Sequence, residues 1–178
     1  MIILSLILIV AIGRGEDVQI TVPRKGIGVG VVSSGINGSF YDPPTGRFAS
    51  LLYFHGKWYS WYPNRRIPKL GGLVCYEDGR VVGGYFSLTK SNILLFNGKP
   101  FSEKGVLWAL TGGGLYVLNG KLLPLRKVRQ EEWFSDLRIY YHRHFSFIFV
   151  FREKSGGVKV GLGVSKGFGS PERVAQYL

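Results

Sequence analysis

The segment NGSFYD, residues 37–42, combines a turn signal with a single carboxylate. Asn37 and Gly38 favour a tight turn, because both residue types tolerate the backbone angles that a chain reversal needs. Asp42 precedes two prolines, and the ring of the next residue holds the Asp42 backbone extended. A carboxylate on a stiff backbone suits proton transfer or ligand binding. Asp42 is therefore a candidate catalytic residue; a cap on the following turn is the alternative role.

A second group of reactive side chains precedes an apolar strand in the sequence DLRIYYHRHFSFIFVF. Arg138 offers a planar guanidinium to a phosphate or carboxylate, and His142 can move a proton near neutral pH. His142 and His144 would share one side of an extended chain, a spacing that metal ligands use. No acidic third ligand is close in the sequence, so we predict neither a metal site nor a required cofactor.

Glycines and tryptophans supply candidate substrate-binding residues. The run Gly112, Gly113 and Gly114 precedes a strand, and such a run lets backbone amides approach a ligand closely. It lacks the Lys-Ser/Thr pair and the helix of a nucleotide P-loop, so ATP binding is not indicated. Trp58 and Trp61, in KWYSWYPNRR, place aromatic rings beside cations. That combination suits stacking on a sugar or on the bases of single-stranded nucleic acid.

Charge and cysteine content narrow the classes of partner and chemistry. The formal net charge of +12 over 178 residues predicts attraction to nucleic acid, acidic polysaccharide or anionic lipid. The cations recur in twos and threes, as they also do on an ordinary solvated surface. Cys75 is the only cysteine, which excludes an intramolecular disulfide and a cysteine zinc site. Its apolar neighbours indicate a small core residue.

Strands are the elements that must position these side chains. Short apolar segments rich in aromatic residues alternate with turns, which is typical of strands and not of helices. Four turns share a polar residue, a glycine and then Lys or Arg, a pattern that predicts hairpins: Gly56, Gly79, Gly98 and Gly120. We therefore expect an antiparallel meander in the middle of the chain. Phenylalanines at every second position from 145 to 151 predict one apolar strand face that packs in the core.

Helical signals are few, and the clearest is at the carboxyl end. Ser170 can cap a helix, Pro171 suits its first position and Glu172 its first turn. The predicted fold class is α+β: a β-rich single domain with an antiparallel meander, a mixed sheet and few short helices, including a C-terminal one.

The first residues, MIILSLILIVAIG, form an apolar run with two interpretations. The run is too short to cross a bilayer as a helix, but its length suits a signal peptide. The alternative is a buried first strand, because the run is rich in β-branched isoleucine and ends at a turn signal. We assign 1–15 to this segment and 16–178 to the main domain, and expect no transmembrane span. Export is slightly favoured, which predicts a secreted or periplasmic protein.

Four segments, taken in order, resemble the phosphodiester glycosidase family: GINGSFYDPPTGRFASLLYFHGKW, WALTGGGLYVLNGKLL, DLRIYYHR with FSFIFVF, and GFGSPERVAQYL. The family shows an Asn-Gly-x-Phe-Phe turn, which Asn37 and Gly38 match with Tyr41 at the second Phe. Arg138 matches an arginine that opens a strand. The family's closing strand, with its Asp-Gly-Gly-Gly-Ser motif, does not occur in this sequence.

The resemblance implies a hydrolase acting on a sugar-phosphate diester or a related anionic glycan. Arg138 would hold the phosphate, Asp42 or His142 would transfer protons, and Asn37 with the glycine amides would orient the sugar. Two alternatives stay open. The chain could be a catalytically silent module that binds glycan or cell wall, or a protein that binds single-stranded nucleic acid.

Overall fold

The computed structural model describes residues 6–18, 41–42, 47–48, 50–61, 68–112, 114–124 and 146–166. Within these ranges the chain is almost entirely strands and tight turns, and its helical part is one 3₁₀ turn, Gly15–Asp17. The strands are β1 Leu6–Gly13, β2 Tyr41–Asp42, β3 Arg47–Phe48, β4 Leu52–Phe54, β5 Lys57–Ser60, β6 Leu70–Tyr76, β7 Val81–Leu88, β8 Leu94–Phe96, β9 Lys99–Pro100, β10 Val106–Thr111, β11 Val117–Leu118, β12 Lys121–Leu122, β13 Ser146–Arg152 and β14 Val158–Lys166.

The largest sheet has seven strands in the order β5-β4-β10-β6-β7-β8-β9. Strands β6 to β9 follow one another as the predicted meander. Strand β10 interrupts the sequential order, because it inserts between β4 and β6 and pairs antiparallel with both. Five of its six residues are buried, because β10 contributes Val106 and Ala109 to one hydrophobic cluster and Trp108 and Leu110 to the other.

The four predicted hairpin turns are confirmed. Gly56, Gly79, Gly98 and Gly120 have φ angles of 77°, 79°, 78° and 71°, the left-handed region that glycine adopts at little cost. Each turn joins two antiparallel neighbours, namely β4 with β5, β6 with β7, β8 with β9, and β11 with β12.

A second sheet contains three strands in the order β1-β14-β13. Ile148 and Val150 of β13 pack with Val160 of β14 against Trp108 of the larger sheet. The opposite face of β13 carries Phe147, Phe149 and Phe151, with ring centroids 5.9 and 5.6 Å apart. The predicted phenylalanine face therefore exists, but its assignment to the core is wrong.

The neighbouring strand β14 explains why the phenylalanine face of β13 is not the face that packs in the core. Phe147 and Phe149 pair with Gly163 and Gly161 of β14, and each ring occupies the space that a side chain on the opposite glycine would need. A ring lying over a cross-strand glycine covers exposed backbone and fixes the register. The phenylalanines thus pack sideways onto β14 and are half-buried, while the smaller aliphatic residues between them fill the core.

Two hydrophobic clusters stabilise the fold. One lies within the curl of the seven-stranded sheet, around Val74, Phe86 and Ala109. The other lies between the two sheets, where Trp108 donates its indole N–H to the carbonyl oxygen of Gly15 over 2.8 Å. Cys75 belongs to the second cluster and has no solvent exposure, which confirms its predicted place in the core.

Two parts of the predicted fold class need correction. The ten described strand pairings are all antiparallel, so the described sheets are not mixed. Because the described helical content is one 3₁₀ turn, the α+β assignment is not supported, and the predicted C-terminal helix lies outside the described residues. Across the described ranges, no helix has the length and apolar character to cross a membrane.

The amino-terminal run contains strand β1, which pairs antiparallel with β14. The 3₁₀ turn follows directly, and Arg14 there donates from its backbone N–H to the Asp17 carboxylate over 3.0 Å. Of the two interpretations of this segment, signal peptide and first strand, the structure therefore shows a strand. A role of the same segment in export stays a prediction.

Candidate functional site

The predicted site residues divide into two groups. Asp42, Trp58, Trp61, Gly112 and Gly114 belong to the described residues. The other five lie outside them: Asn37, Gly38, Gly113, Arg138 and His142. The chemistry assigned to Arg138 and His142 therefore stays a prediction.

Asp42 ends strand β2 and pairs with Arg47 of β3. The extended backbone expected from the following proline is therefore confirmed at this position. The β2–β3 pair forms a two-stranded sheet of its own.

Gly112 follows β10 at the end of the seven-stranded sheet. Its backbone N–H donates to the carbonyl oxygen of Gly71 at 3.4 Å, so this amide is already engaged within the sheet. A side chain on Gly112 would meet no atom within 4 Å, and the surroundings are open. Gly114 has a φ angle of 130°, a conformation that glycine adopts readily.

Trp58 and Trp61 lie together at one edge of the seven-stranded sheet. Their ring centroids are 4.5 Å apart and their planes are inclined by 78°, the edge-to-face arrangement that aromatic pairs prefer. Trp58 also packs against Tyr53 at 5.0 Å and Phe101 at 6.0 Å, which ties it to the inner cluster. Trp61 is 43% exposed. One half-buried ring, Trp58, thus supports one accessible ring, Trp61.

The geometry of β5 explains this division of side chains. Leu52 pairs with Ser60 and Tyr53 with Trp58, so Tyr59 is an extra residue on β5. Such a bulge redirects the side chains around it. Trp58 faces the inner cluster, whereas Lys57 and Tyr59 are exposed and contact each other, with the Lys57 Nζ 5.0 Å from the Tyr59 ring centroid.

Glu103 is a site residue that the sequence analysis missed. Its Oε1 accepts the indole N–H of Trp58 over 2.6 Å, which fixes the orientation of the ring. Burial raises the pKa of the nearby Tyr53 hydroxyl, and the negative charge of Glu103 raises it further. Because Glu103 lies 45 residues from Trp58 along the chain, no local spacing could have indicated the pair.

The cluster offers three kinds of interaction at one exposed edge. An aromatic ring carries negative charge on its face and attracts polarised C–H groups, such as those on the apolar face of a sugar. A carboxylate accepts hydrogen bonds from hydroxyl groups, and an ammonium group donates to oxygens. We name these residues the Trp61 cluster: Tyr53, Lys57, Trp58, Tyr59, Trp61, Phe101 and Glu103.

Other parts of the described residues offer less chemistry than the Trp61 cluster. A shallow cavity of about 230 Å³ is lined by Leu88, Thr89, Lys90 and Asn92, and it contains no carboxylate, thiol or imidazole. Among the described side chains, no group of three His, Cys, Asp or Glu residues is placed to hold a metal ion. The Trp61 cluster is therefore the strongest candidate that the described residues provide.

No family model matches this chain. No curated protein and no solved structure matches it either. The similarity of its motifs to the phosphodiester glycosidase family accordingly stays a resemblance.

Proposed function

We propose that this protein binds glycans at the Trp61 cluster. The observation that carries the proposal is the exposed ring of Trp61, packed edge-to-face on Trp58 at 4.5 Å. An exposed indole that is held by a second ring loses little conformational entropy when a ligand stacks on it. This is the physical requirement for an aromatic platform that holds a sugar.

Three contacts keep the supporting ring in place. Trp58 touches Tyr53 on the neighbouring strand and Phe101 from the segment after β9, and its indole nitrogen is hydrogen-bonded to Glu103. Tyr53 itself is only 3% exposed. The platform is therefore attached to the core of the larger sheet through Tyr53, and its two other contacts come from the segment between β9 and β10.

The position of Glu103 favours a glycan over nucleic acid. A carboxylate beside the aromatic pair repels the phosphates of a nucleic acid strand, which follow one another at every nucleotide. The same carboxylate accepts hydrogen bonds from sugar hydroxyls. The cations Arg65 and Arg66 follow Trp61 in the sequence, and cations beside aromatic rings also suit single-stranded nucleic acid. Binding of single-stranded nucleic acid is therefore the competing outcome in the test of this proposal.

A glycan array combined with an exposed-ring variant tests the proposal. We expect the wild-type protein to bind a defined set of glycans and Trp61→Ala to lose that binding while its circular dichroism spectrum is unchanged. Ile93→Ala is the matched control, because Ile93 is 52% exposed on a different turn. Absence of glycan binding, or binding of single-stranded oligonucleotides through Trp61, would overturn the proposal.

Hydrolysis of a sugar-phosphate diester is the second candidate function. The observation that favours it is the extended backbone of Asp42, paired with Arg47, as the catalytic assignment requires. We expect Asp42→Asn and Arg138→Ala to abolish the release of sugar from a sugar-1-phosphodiester. Phosphorus NMR monitors this reaction. Wild-type protein that binds glycan without turnover would remove this candidate and leave the binding function intact.

A further inference from the structure

The side of β5 opposite Trp58 carries a second pair of accessible groups, Lys57 and Tyr59. Both residues are exposed, and Tyr59 is 36% accessible. The ammonium group lies 5.0 Å from the centre of the Tyr59 ring, an interaction that holds a flexible lysine side chain near one position. The pair thus presents a positive charge beside an aromatic surface.

The Lys57 charge is available to a ligand. Among the described residues, the ion pairs involve Arg14 and Arg80 as the cations, and Lys57 forms none. Arg80 is neutralised locally by Asp78 at 2.6 Å. Lys57 therefore differs from Arg80, although both side chains lie over tyrosine rings.

Lys57 and Trp61 border the same strand edge. Strand β5 is the first of the seven strands and pairs with β4 on one side. A single strand separates the side chains on its two faces, so a polymer lying along the outer edge of β5 can touch the Trp61 ring on one side and Lys57 on the other. The bulge at Tyr59 increases the local twist of this edge.

We propose that the glycan recognised at the Trp61 cluster is acidic, and that Lys57 binds its carboxylate or sulfate group. This inference rests on the proposed glycan-binding function. The sugar ring stacks on Trp61, while Glu103 accepts hydroxyl hydrogen bonds and keeps the acidic group away from that side of the strand. Lys57, which forms no ion pair with a described carboxylate, takes the negative charge. The net charge of +12 attracts such a polymer from a distance.

An array of matched pairs tests the charge preference. Each acidic sugar is placed beside its neutral counterpart: glucuronate with glucose, and galacturonate with galactose. We expect wild-type protein to prefer the acidic member of a pair, and Lys57→Gln to weaken binding to that member by about two- to fivefold. Binding of the variant to the neutral member should fall less than its binding to the acidic member.

Two further variants distinguish the effect of the Lys57 charge from the effect of removing any exposed lysine. Lys57→Arg keeps the positive charge and should retain the preference, whereas Lys121→Gln removes an exposed lysine of β12 and should have no effect. Equal binding of acidic and neutral members, or an acidic preference that survives in Lys57→Gln, would overturn the inference and leave glycan binding intact. Failure of the wild-type protein to bind any glycan would instead overturn the proposed function and this inference together.

Discussion

Trp58 of β5 donates its indole N–H over 2.6 Å to Glu103, which lies in the segment between β9 and β10. Phe101, two residues before Glu103, packs on Trp58 and on Phe86. The segment after β9 thus reaches from one edge of the sheet to the other. This contact closes the inner cluster and at the same time orients the ring that supports Trp61.

Removal of the Glu103 carboxylate should loosen this closure. We expect Glu103→Ala to lower the free energy of unfolding by about 0.5–1 kcal/mol, because the hydrogen bond is lost at an exposed position. Glu103→Gln keeps an acceptor oxygen and should lose less. Urea denaturation measures both effects, and the indole N–H signal of Trp58 in an NMR spectrum reports the bond directly. An unchanged signal in the alanine variant would show that the bond does not form in solution.

Glycines at close strand contacts should not tolerate a side chain. A methyl group on Gly72 would overlap the backbone carbonyl oxygen of Leu110, and one on Gly161 would overlap the ring of Phe149. We expect each alanine substitution to lower the free energy of unfolding by about 1–3 kcal/mol, with the larger loss at Gly72 because backbone cannot move aside as a side chain can.

Gly112→Ala is the control for these two substitutions, because a side chain there would meet no atom within 4 Å. Its effect should stay within about 0.5 kcal/mol. Thermal and urea denaturation of the three variants provide the comparison. Equal losses for Gly72 and Gly112 would contradict the strand packing described here.

The buried thiol should make the protein less stable at alkaline pH. Burial raises the pKa of Cys75 to about 11 from an ordinary value of 9.0, and the charges of Glu16 and Asp78 add to the effect. The folded state therefore disfavours the thiolate. The stability that depends on the neutral thiol is complete below about pH 9 and is lost as the pH rises toward about 11.

Cys75→Ala removes this contribution. Between about pH 8 and about pH 10 we expect the wild-type protein to lose more of its free energy of unfolding than the variant does. Tyr53, whose pKa burial also raises, adds a loss common to both proteins. Urea denaturation at the two pH values measures the difference. An identical pH dependence for the two proteins would contradict a buried, neutral thiol.

The sequence was sufficient for features that depend on local chemistry. The hairpins at Gly56, Gly79, Gly98 and Gly120 follow from residues that accept positive φ angles, and the turn forms wherever the flanking strands pair. The extended backbone at Asp42 likewise follows from the next residue alone. The core position of Cys75 follows from its apolar neighbours.

Features that depend on distant partners could not be predicted. Strand β10 pairs with both β4 and β6, and this non-sequential strand order depends on pairing between segments that are distant along the chain. Alternation correctly grouped Phe147 and Phe149 on one face, but the glycines opposite them decide which face is the core. Glu103 lies 45 residues from Trp58 along the chain and contacts it only in the folded structure. Trp58 and Trp61 of the candidate site were therefore predictable, whereas their partners Tyr53, Phe101 and Glu103 were not.

Calorimetric titration of a glycan identified on the array into the wild-type protein, Trp61→Phe and Trp61→Ala tests the central claim most directly. If Trp61 is the stacking platform, Trp61→Phe should retain most of the affinity. Trp61→Ala should lose at least about tenfold, which corresponds to about 1.4 kcal/mol. Equal affinity of the wild-type protein and Trp61→Ala would contradict glycan binding at this cluster.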